Sequence, residues 1–263
     1  MNAMPIRFDH KPGLVIYLTA GDPSLEATRE IALAAIDAGA DVIELGVPFS
    51  DPLADGPVIQ RASERALAHG TSLKDVIALA GELRQARPQA GLILFSYLNP
   101  ILRYGLRKFA SDAAAAGADG VLATDMIVEE AGEYLQELGR VGLAPVFLAA
   151  PTSPDERLEA IATHCKGFIY AISRVGITGQ QQTMTSDAAV LVARIRRWST
   201  LPVAVGFGIS NSEHVAQVAE FADAAVVGSA IVGLIEGSTA ETAPGAVARF
   251  IEGLRLPQAA LAR

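Results

Sequence analysis

Eight short apolar runs recur along the chain, each about as long as a β-strand, with Ala/Leu/Glu/Arg-rich stretches between them. The runs are Leu14–Thr19, Asp41–Leu45, Leu92–Tyr97, Gly120–Thr124, Pro145–Ala149, Gly167–Ile172, Pro202–Gly206 and Ala224–Gly228. The intervening stretches carry helical periodicity, as in Leu25–Ala38, Ser72–Ala86, Val128–Leu138 and Asp187–Trp198. Such alternation argues for a parallel sheet, because parallel strands need a long crossover and a helix is the usual one. A weak repeat supports the count: Ala38-Gly39-Ala40-Asp41, Ala116-Gly117-Ala118-Asp119 and Phe221-Ala222-Asp223 each lead into a strand. Eight βα units in 263 residues have the size of a (β/α)8 TIM barrel, here expected as one domain over residues 1–263. A doubly wound open sheet is the alternative. Its glycine-rich fingerprint should follow the first strand, where the chain instead reads Thr19-Ala20-Gly21-Asp22-Pro23.

Charge and cysteine content remove several functions. A formal charge of −8 does not suit a basic nucleic-acid-binding face. Cys165 is the one cysteine, so no intrachain disulfide and no cysteine cluster for zinc can form, and a buried, inert thiol is expected. No segment has the length of a membrane span, and Met1–Arg7 does not resemble a signal peptide, so a cytoplasmic protein is expected.

In a TIM barrel the chemistry lies at the C-terminal ends of the strands. The first strand delivers Tyr17 and Thr19, then Asp22. The second delivers Glu44, then Asp51 and Asp55 on the following loop. The third delivers Tyr97 and Asn99, the fourth Thr124 and Asp125, and the sixth Tyr170 and the run Ser173–Gly179. The seventh and eighth deliver Gly206-Phe207-Gly208 and Gly228-Ser229. Glycines at three consecutive strand ends, with a helix opening at Ser229, are read as a phosphate cradle built from backbone amides. The bland alternative is that these glycines only make tight turns. Glu44 stands among apolar residues, either as a proton carrier or as a structural acid paired with an arginine or tyrosine. Asp55 is either part of the chemistry or a cap for the next helix. Asp51 and Asp125 read as turn or cap residues, and Tyr97 and Tyr170 as pocket lining or core. Lys11, Lys74, Lys108 and Lys166 all avoid the C-terminal strand ends, which removes Schiff-base chemistry. The four histidines avoid them too, and no metal site is expected. Carboxylate acid–base chemistry on a phosphorylated substrate remains.

The stretch Glu44-Leu45-Gly46-Val47-Pro48-Phe49-Ser50-Asp51-Pro52-Leu53-Ala54-Asp55-Gly56 resembles the signature of the tryptophan synthase α-subunit family. Further likenesses are Tyr17–Pro23, Tyr97–Pro100, Ala150–Pro154, Gly176–Gly179, Gly206–Ile209 and Gly228–Val232. The resemblance implies retro-aldol cleavage of indole-3-glycerol phosphate to indole and glyceraldehyde 3-phosphate. It makes Glu44 the general acid and base at the indole carbon and the glycerol hydroxyl, and Asp55 the partner of the indole N–H. Thr178 would close over Asp55, and Tyr170 would lie beside the substrate. Tyr17, Tyr97, Leu122 and Leu148 would line the indole pocket. Gly179, Phe207, Gly208, Gly228 and Ser229 would hold the phosphate end, on the wall opposite Glu44.

The resemblance also implies a β-subunit partner in an α2β2 heterotetramer. Pyridoxal phosphate would belong to that partner and no cofactor to this chain, and the loop at Asp51–Leu53 would be the coupling element. Two departures stand out. The segment before the first strand, with Pro5, Lys11-Pro12 and Gly13, leaves little room for the family's N-terminal plug helix. After the fourth strand Asp125-Met126-Ile127 replaces the usual Asp-Leu-Pro, which questions that loop's turn. A stand-alone lyase releasing free indole and a non-catalytic phosphate-binding barrel are the competing readings.

Overall fold

The computed structural model describes residues 6, 8–172, 181–206 and 208–255, with the backbone alone for 181–186. Nine parallel strands form one sheet: β1 (Gly13–Thr19), β2 (Val42–Gly46), β3 (Gly91–Ser96), β4 (Gly120–Ala123), β5 (Ala144–Val146), β6 (Leu148–Ala149), β7 (Ile169–Ile172), β8 (Val203–Gly206) and β9 (Ala224–Val227). The order is β5-β4-β3-β2-β1-β9-β8-β7-β6. Its two ends, β5 and β6, are the halves of one extended run, so the sheet closes on itself as a TIM barrel. The expected fifth strand is broken at Phe147, whose N–H leaves the ladder and donates to Cys165 Sγ at 3.2 Å. The buried thiol thus fills a place at the barrel seam.

The strands are buried on both faces, as a sheet wrapped by helices must be. Alternation along each strand separates two cores. Leu14, Ile16, Leu18, Ile43 and Leu45 point outward against the helices. Val15, Val42, Ile93, Leu122, Val146 and Phe168 fill the barrel's interior. Ile6 packs into that interior from below with Phe8 against it, so apolar side chains close the barrel's bottom. Among the described residues no helix precedes β1.

The repeated aspartates explain themselves here. Asp41, Asp119 and Asp223 each precede a strand, and each accepts a hydrogen bond from the first-turn amide of the neighbouring one. Leu14 N donates to Asp41 Oδ2 at 2.7 Å, Leu92 N to Asp119 Oδ2 at 2.8 Å, and Val203 N to Asp223 Oδ2 at 2.8 Å. An arginine joins each: Arg255, Arg84 and Arg196. The amide bonded in this way is the second of its strand at Leu14 and Leu92 and the first at Val203, and the carboxylate satisfies it at the barrel bottom.

The helices follow the sequence reading with shifted ends. Leu73–Ala86 is opened by a capping box between Ser72 and Asp75. The run expected over Val128–Leu138 divides into a 3-10 turn, Val128–Glu130, and a helix, Gly132–Val141, around Ala131. The helix expected over Asp187–Trp198 runs instead over Gln181–Ile195. The loop after β4 turns through a Met126 N–Ala123 O bond of 3.2 Å. Asp125 Oδ1 accepts from Leu98 N at 2.7 Å, the capping role its type suggested. Among the described residues no helix is long and apolar enough to cross a membrane.

Candidate active site

A cleft of about 620 Å³ opens at the C-terminal ends of the strands. Glu44, on β2, forms part of its lining and is fully buried. Neither carboxylate oxygen has a hydrogen-bond partner among the described residues. The structural alternative, a buried acid paired with an arginine or tyrosine, is therefore not what these residues build. Burial pushes the carboxyl up to about 8, because an ion there would lose its hydration without compensation. At neutral pH Glu44 carries a proton.

Asp55 stands on the loop after β2, half-buried in the same cleft. The cap alternative fails for it: the next helix, Pro57–Ala68, has Gly56 at its N-cap. Asp55 Oδ2 instead accepts from Tyr97 Oη at 3.1 Å. Burial raises its carboxyl to about 6, against the lowering effect of that hydrogen bond. At neutral pH Asp55 is mostly ionised. The two acids are thus poised apart, one protonated and one charged, the pattern that divides acid and electrostatic roles in one site.

Tyr97 acts on the loop rather than lining the cleft. Its hydroxyl donates to Asp55 and accepts from Ala54 N at 2.9 Å. Its ring packs on Phe49, centroids 5.2 Å apart. Gln60 adds a second tie, with Nε2 donating to the Asp55 carbonyl at 2.9 Å. The loop that carries Asp55 is therefore fastened from β3's end and from the helix it opens.

Tyr17 pairs in register with Glu44 across β1 and β2, so both side chains point inward. Its phenol fills the space above Gly46, where a Cβ would lie 2.3 Å from the hydroxyl oxygen. Tyr170 likewise lies over Gly206, where a Cβ would fall 2.6 Å from its hydroxyl. Glycine at these two strand ends makes room for both phenols at the mouth. Burial raises both hydroxyls above the ordinary tyrosine value, so they stay protonated. Leu148 and Phe95 add apolar lining, with Phe95 edge-on to Tyr17.

Of the residues expected at the phosphate end, Gly208, Gly228 and Ser229 line the cleft. The helix Ser229–Glu236 opens there from Gly228 without a side-chain cap, whereas Ser24 and Asn211 cap their helices. Uncapped first-turn amides of this kind suit an anion. Of the strands that carry the expected cradle, β9 lies two from β2, with β1 between them, and β8 lies three away. Tyr17 therefore stands between Glu44 and the Gly228–Ser229 end, and Gly208 sits farther round the barrel.

Leu122 is placed away from the cleft, fully buried in the barrel interior. Thr178, Gly179 and Phe207 lie outside the described residues. The lysines and histidines, all described, do not line the cleft. Ile209 and Ser210, which follow Gly208 at the end of the seventh strand, line the cleft too, whereas Phe95, Ile59, Ile172 and Val226 carried no expectation as lining. For Phe95 the signal was present, since it pairs with Gly46 on the inward alternation of β3.

Three comparisons bear on this cleft. The sequence profile of the family described as tryptophan synthase alpha chain matches residues 6–258. The tryptophan synthase alpha chain of Solibacter usitatus is 50% identical over 231 residues, 88% of this chain and 86% of that protein. The structure of tryptophan synthase subunit alpha from Legionella pneumophila superposes with a TM-score of 0.85 at 39% identity, covering 92% of this chain and 91% of that one. A chain from a structure of the tryptophan synthase α2β2 complex of Pyrococcus furiosus gives 0.85 at 40% identity, covering 93% and 98%.

Proposed function

Because the chain belongs to the tryptophan synthase alpha-chain family, we propose that it cleaves indole-3-glycerol phosphate to indole and glyceraldehyde 3-phosphate. The observation that carries the reading is the pair of carboxyls in one cleft: Glu44, buried, unpartnered and raised to about 8, and Asp55, ionised and held by Tyr97.

The chemistry follows from their protonation states. Protonated Glu44 gives its proton to indole carbon three, which breaks the ring's aromaticity and places positive charge on the indolenine nitrogen. Ionised Asp55 accepts the indole N–H and offsets that charge. The carboxylate left on Glu44 then takes the proton of the glycerol hydroxyl next to the scissile bond. The oxygen's electron pair forms the aldehyde carbonyl, the carbon–carbon bond breaks, and its electrons restore the indole ring. Glu44 ends as it began, protonated. Tyr17, Phe95, Leu148 and Tyr170 surround the ring, and Gly208, Gly228 and Ser229 take the phosphate. Thr178, Gly179 and Phe207 complete this set in our reading, with Thr178 closing over Asp55.

The chain works, in this reading, as one barrel domain in the cytoplasm, bound to a β subunit in an α2β2 assembly. Pyridoxal phosphate belongs to that partner. The loop between Glu44 and Asp55 suits the docking role, because Leu53 is 94% exposed and sits two residues from Asp55. Leu102, on the helix Leu98–Tyr104 after β3, and Ile127, on the loop after β4, are exposed apolar side chains. Indole release from indole-3-glycerol phosphate, followed with and without a β subunit for wild type and Asp55→Asn, tests the proposal. Strong acceleration by the partner and loss of turnover in the variant are expected. A wild type as fast alone as with a β subunit points to a stand-alone lyase instead.

A further inference from the structure

A chain of four charges runs behind the cleft and joins three elements. Arg65, on the helix Pro57–Ala68, makes two parallel hydrogen bonds to Asp22 on the turn after β1, both 2.8 Å. Its remaining Nη1 reaches Glu236 at 2.8 Å. Arg61, one turn earlier, grips the same Glu236 through two bonds of 2.8 and 2.7 Å. Glu236 is the last residue of Ser229–Glu236, the helix whose other end opens on the cleft. The helix carrying both arginines begins two residues after Asp55.

Three features of this chain are unfavourable taken singly. An acid in the last turn of a helix faces the negative end of the helix dipole. Two arginines at positions i and i+4 repel each other. Asp22 is 3% exposed, and a buried carboxylate needs a partner. All three faults are relieved together, and only when the two helices and the β1 turn stand in this one register. The apolar contact between the helices packs Val58, Ile59 and Ala62 against Val232 and Gly233, with a Cβ built at Gly233 3.9 Å from Val58. That contact is non-directional, whereas the paired charges have one geometry, so they add a defined axial position.

We propose that Glu236 and Arg65 are positioning residues that lock the helix following Asp55 to the phosphate-facing helix, so that seating a phosphate at Gly228–Ser229 also sets Asp55 against the indole nitrogen. This rests on the reaction proposed above. It adds that the two ends of the substrate site are mechanically coupled through Arg61–Glu236–Arg65–Asp22, outside the cleft itself.

The test compares full-length wild type with Glu236→Gln. Glycerol 3-phosphate serves as the probe of the phosphate end, and amide hydrogen exchange over residues 54–64 as the readout. In the wild type, saturating probe is expected to slow exchange there by roughly threefold or more. In Glu236→Gln the probe should bind with an affinity within roughly threefold of wild type yet leave 54–64 unprotected, while kcat for indole release falls about tenfold. Arg65→Lys keeps the charge but loses the fork that reaches two acids, and should behave the same way. If Glu236→Gln does not fold, Arg61→Gln removes the outermost charge of the chain and carries the same comparison. A variant that melts earlier but keeps both probe-induced protection and wild-type kcat overturns the inference, as does a wild type that shows no protection. A wild type that binds the probe and shows the protection but releases no indole defeats the proposed reaction, and the exchange result still decides the coupling.

Discussion

Glu44→Gln separates the protonation of this residue from everything else in the site, and its effect on stability has a calculable slope. In the unfolded chain the carboxyl titrates near 4.5, and in the fold near 8. Between these values the folded protein keeps a proton that the unfolded chain releases. A raised folded-state value means that the stabilising contribution is complete below about pH 4.5 and lost as the pH rises through about 8. At 1.36 kcal/mol per unit the whole loss is roughly 5 kcal/mol, and about 3 kcal/mol of it has occurred by pH 7. These are upper figures, because Glu44 borders a cleft that admits water. Glutamine has nearly the same shape and does not titrate, so its buried amide adds only a pH-independent offset. Equilibrium urea unfolding of both proteins at pH 5, 6, 7 and 8 gives the difference directly. The variant should gain on the wild type by about 1.4 kcal/mol per pH unit, with a plateau above pH 8. A difference that stays flat across this range means that Glu44 is already ionised at pH 5 in the fold. It could then not deliver a proton at neutral pH, and the mechanism would lose its acid.

Other substitutions probe single links. Asp55→Asn should lower kcat for indole release by about 10²–10³-fold, because it removes the charge that meets the indolenine cation; retained turnover would leave Asp55 without a role. Tyr97→Phe deletes the donor that holds Asp55 Oδ2 and the acceptor of Ala54 N. Its kcat should fall about tenfold, and the acidic limb of its pH profile should move upward, since the lost hydrogen bond favours the ionised form. Gly46→Ala places a methyl 2.3 Å from the Tyr17 hydroxyl oxygen; a crystal structure of the variant should show the phenol displaced, and an unmoved ring would contradict the close fit. Asp119→Ala strips a partner from Leu92 N and from Arg84 at the barrel bottom. It should cost about 1–3 kcal/mol in unfolding with kcat unchanged at 25 °C, and a change in kcat would mean the bottom and the cleft are not independent.

The parts of this molecule that were legible in the sequence are those set by local periodicity. Buried strands such as Leu14–Thr19 and amphipathic helices such as Ser72–Ala86 announce themselves through neighbouring residues, and their alternation fixes a parallel barrel. Glu44 was legible for a related reason, as a carboxyl in an inward strand position. What stayed hidden depends on residues far apart in the chain. The role of Tyr97 needs Asp55, 42 residues away, and that of Arg65 needs Glu236, 171 residues away. The bend at Phe147 depends on where the sheet closes. The aspartate repeat was visible as a pattern, but its use, bonding an amide at the start of the neighbouring strand, belongs to the sheet rather than to any segment. The nearness of the Gly228–Ser229 end to Glu44 also stayed hidden, because strand number is not position around a closed barrel: β9 returns to β1.

The central claim is that one cleft holds a protonated Glu44 and an ionised Asp55 at the same pH, and that both states are needed. The pH dependence of kcat/KM for indole release from indole-3-glycerol phosphate reads this directly, because it reports the free enzyme's essential acid and base. A bell is expected. Its rising limb lies near pH 6, as Asp55 loses its proton, and its falling limb near pH 8, as Glu44 loses its own. Asp55→Asn should abolish the rising limb in whatever activity remains. A profile that is flat between pH 6 and 9, or a rising limb that survives in Asp55→Asn, would contradict the assignment of the two carboxyls.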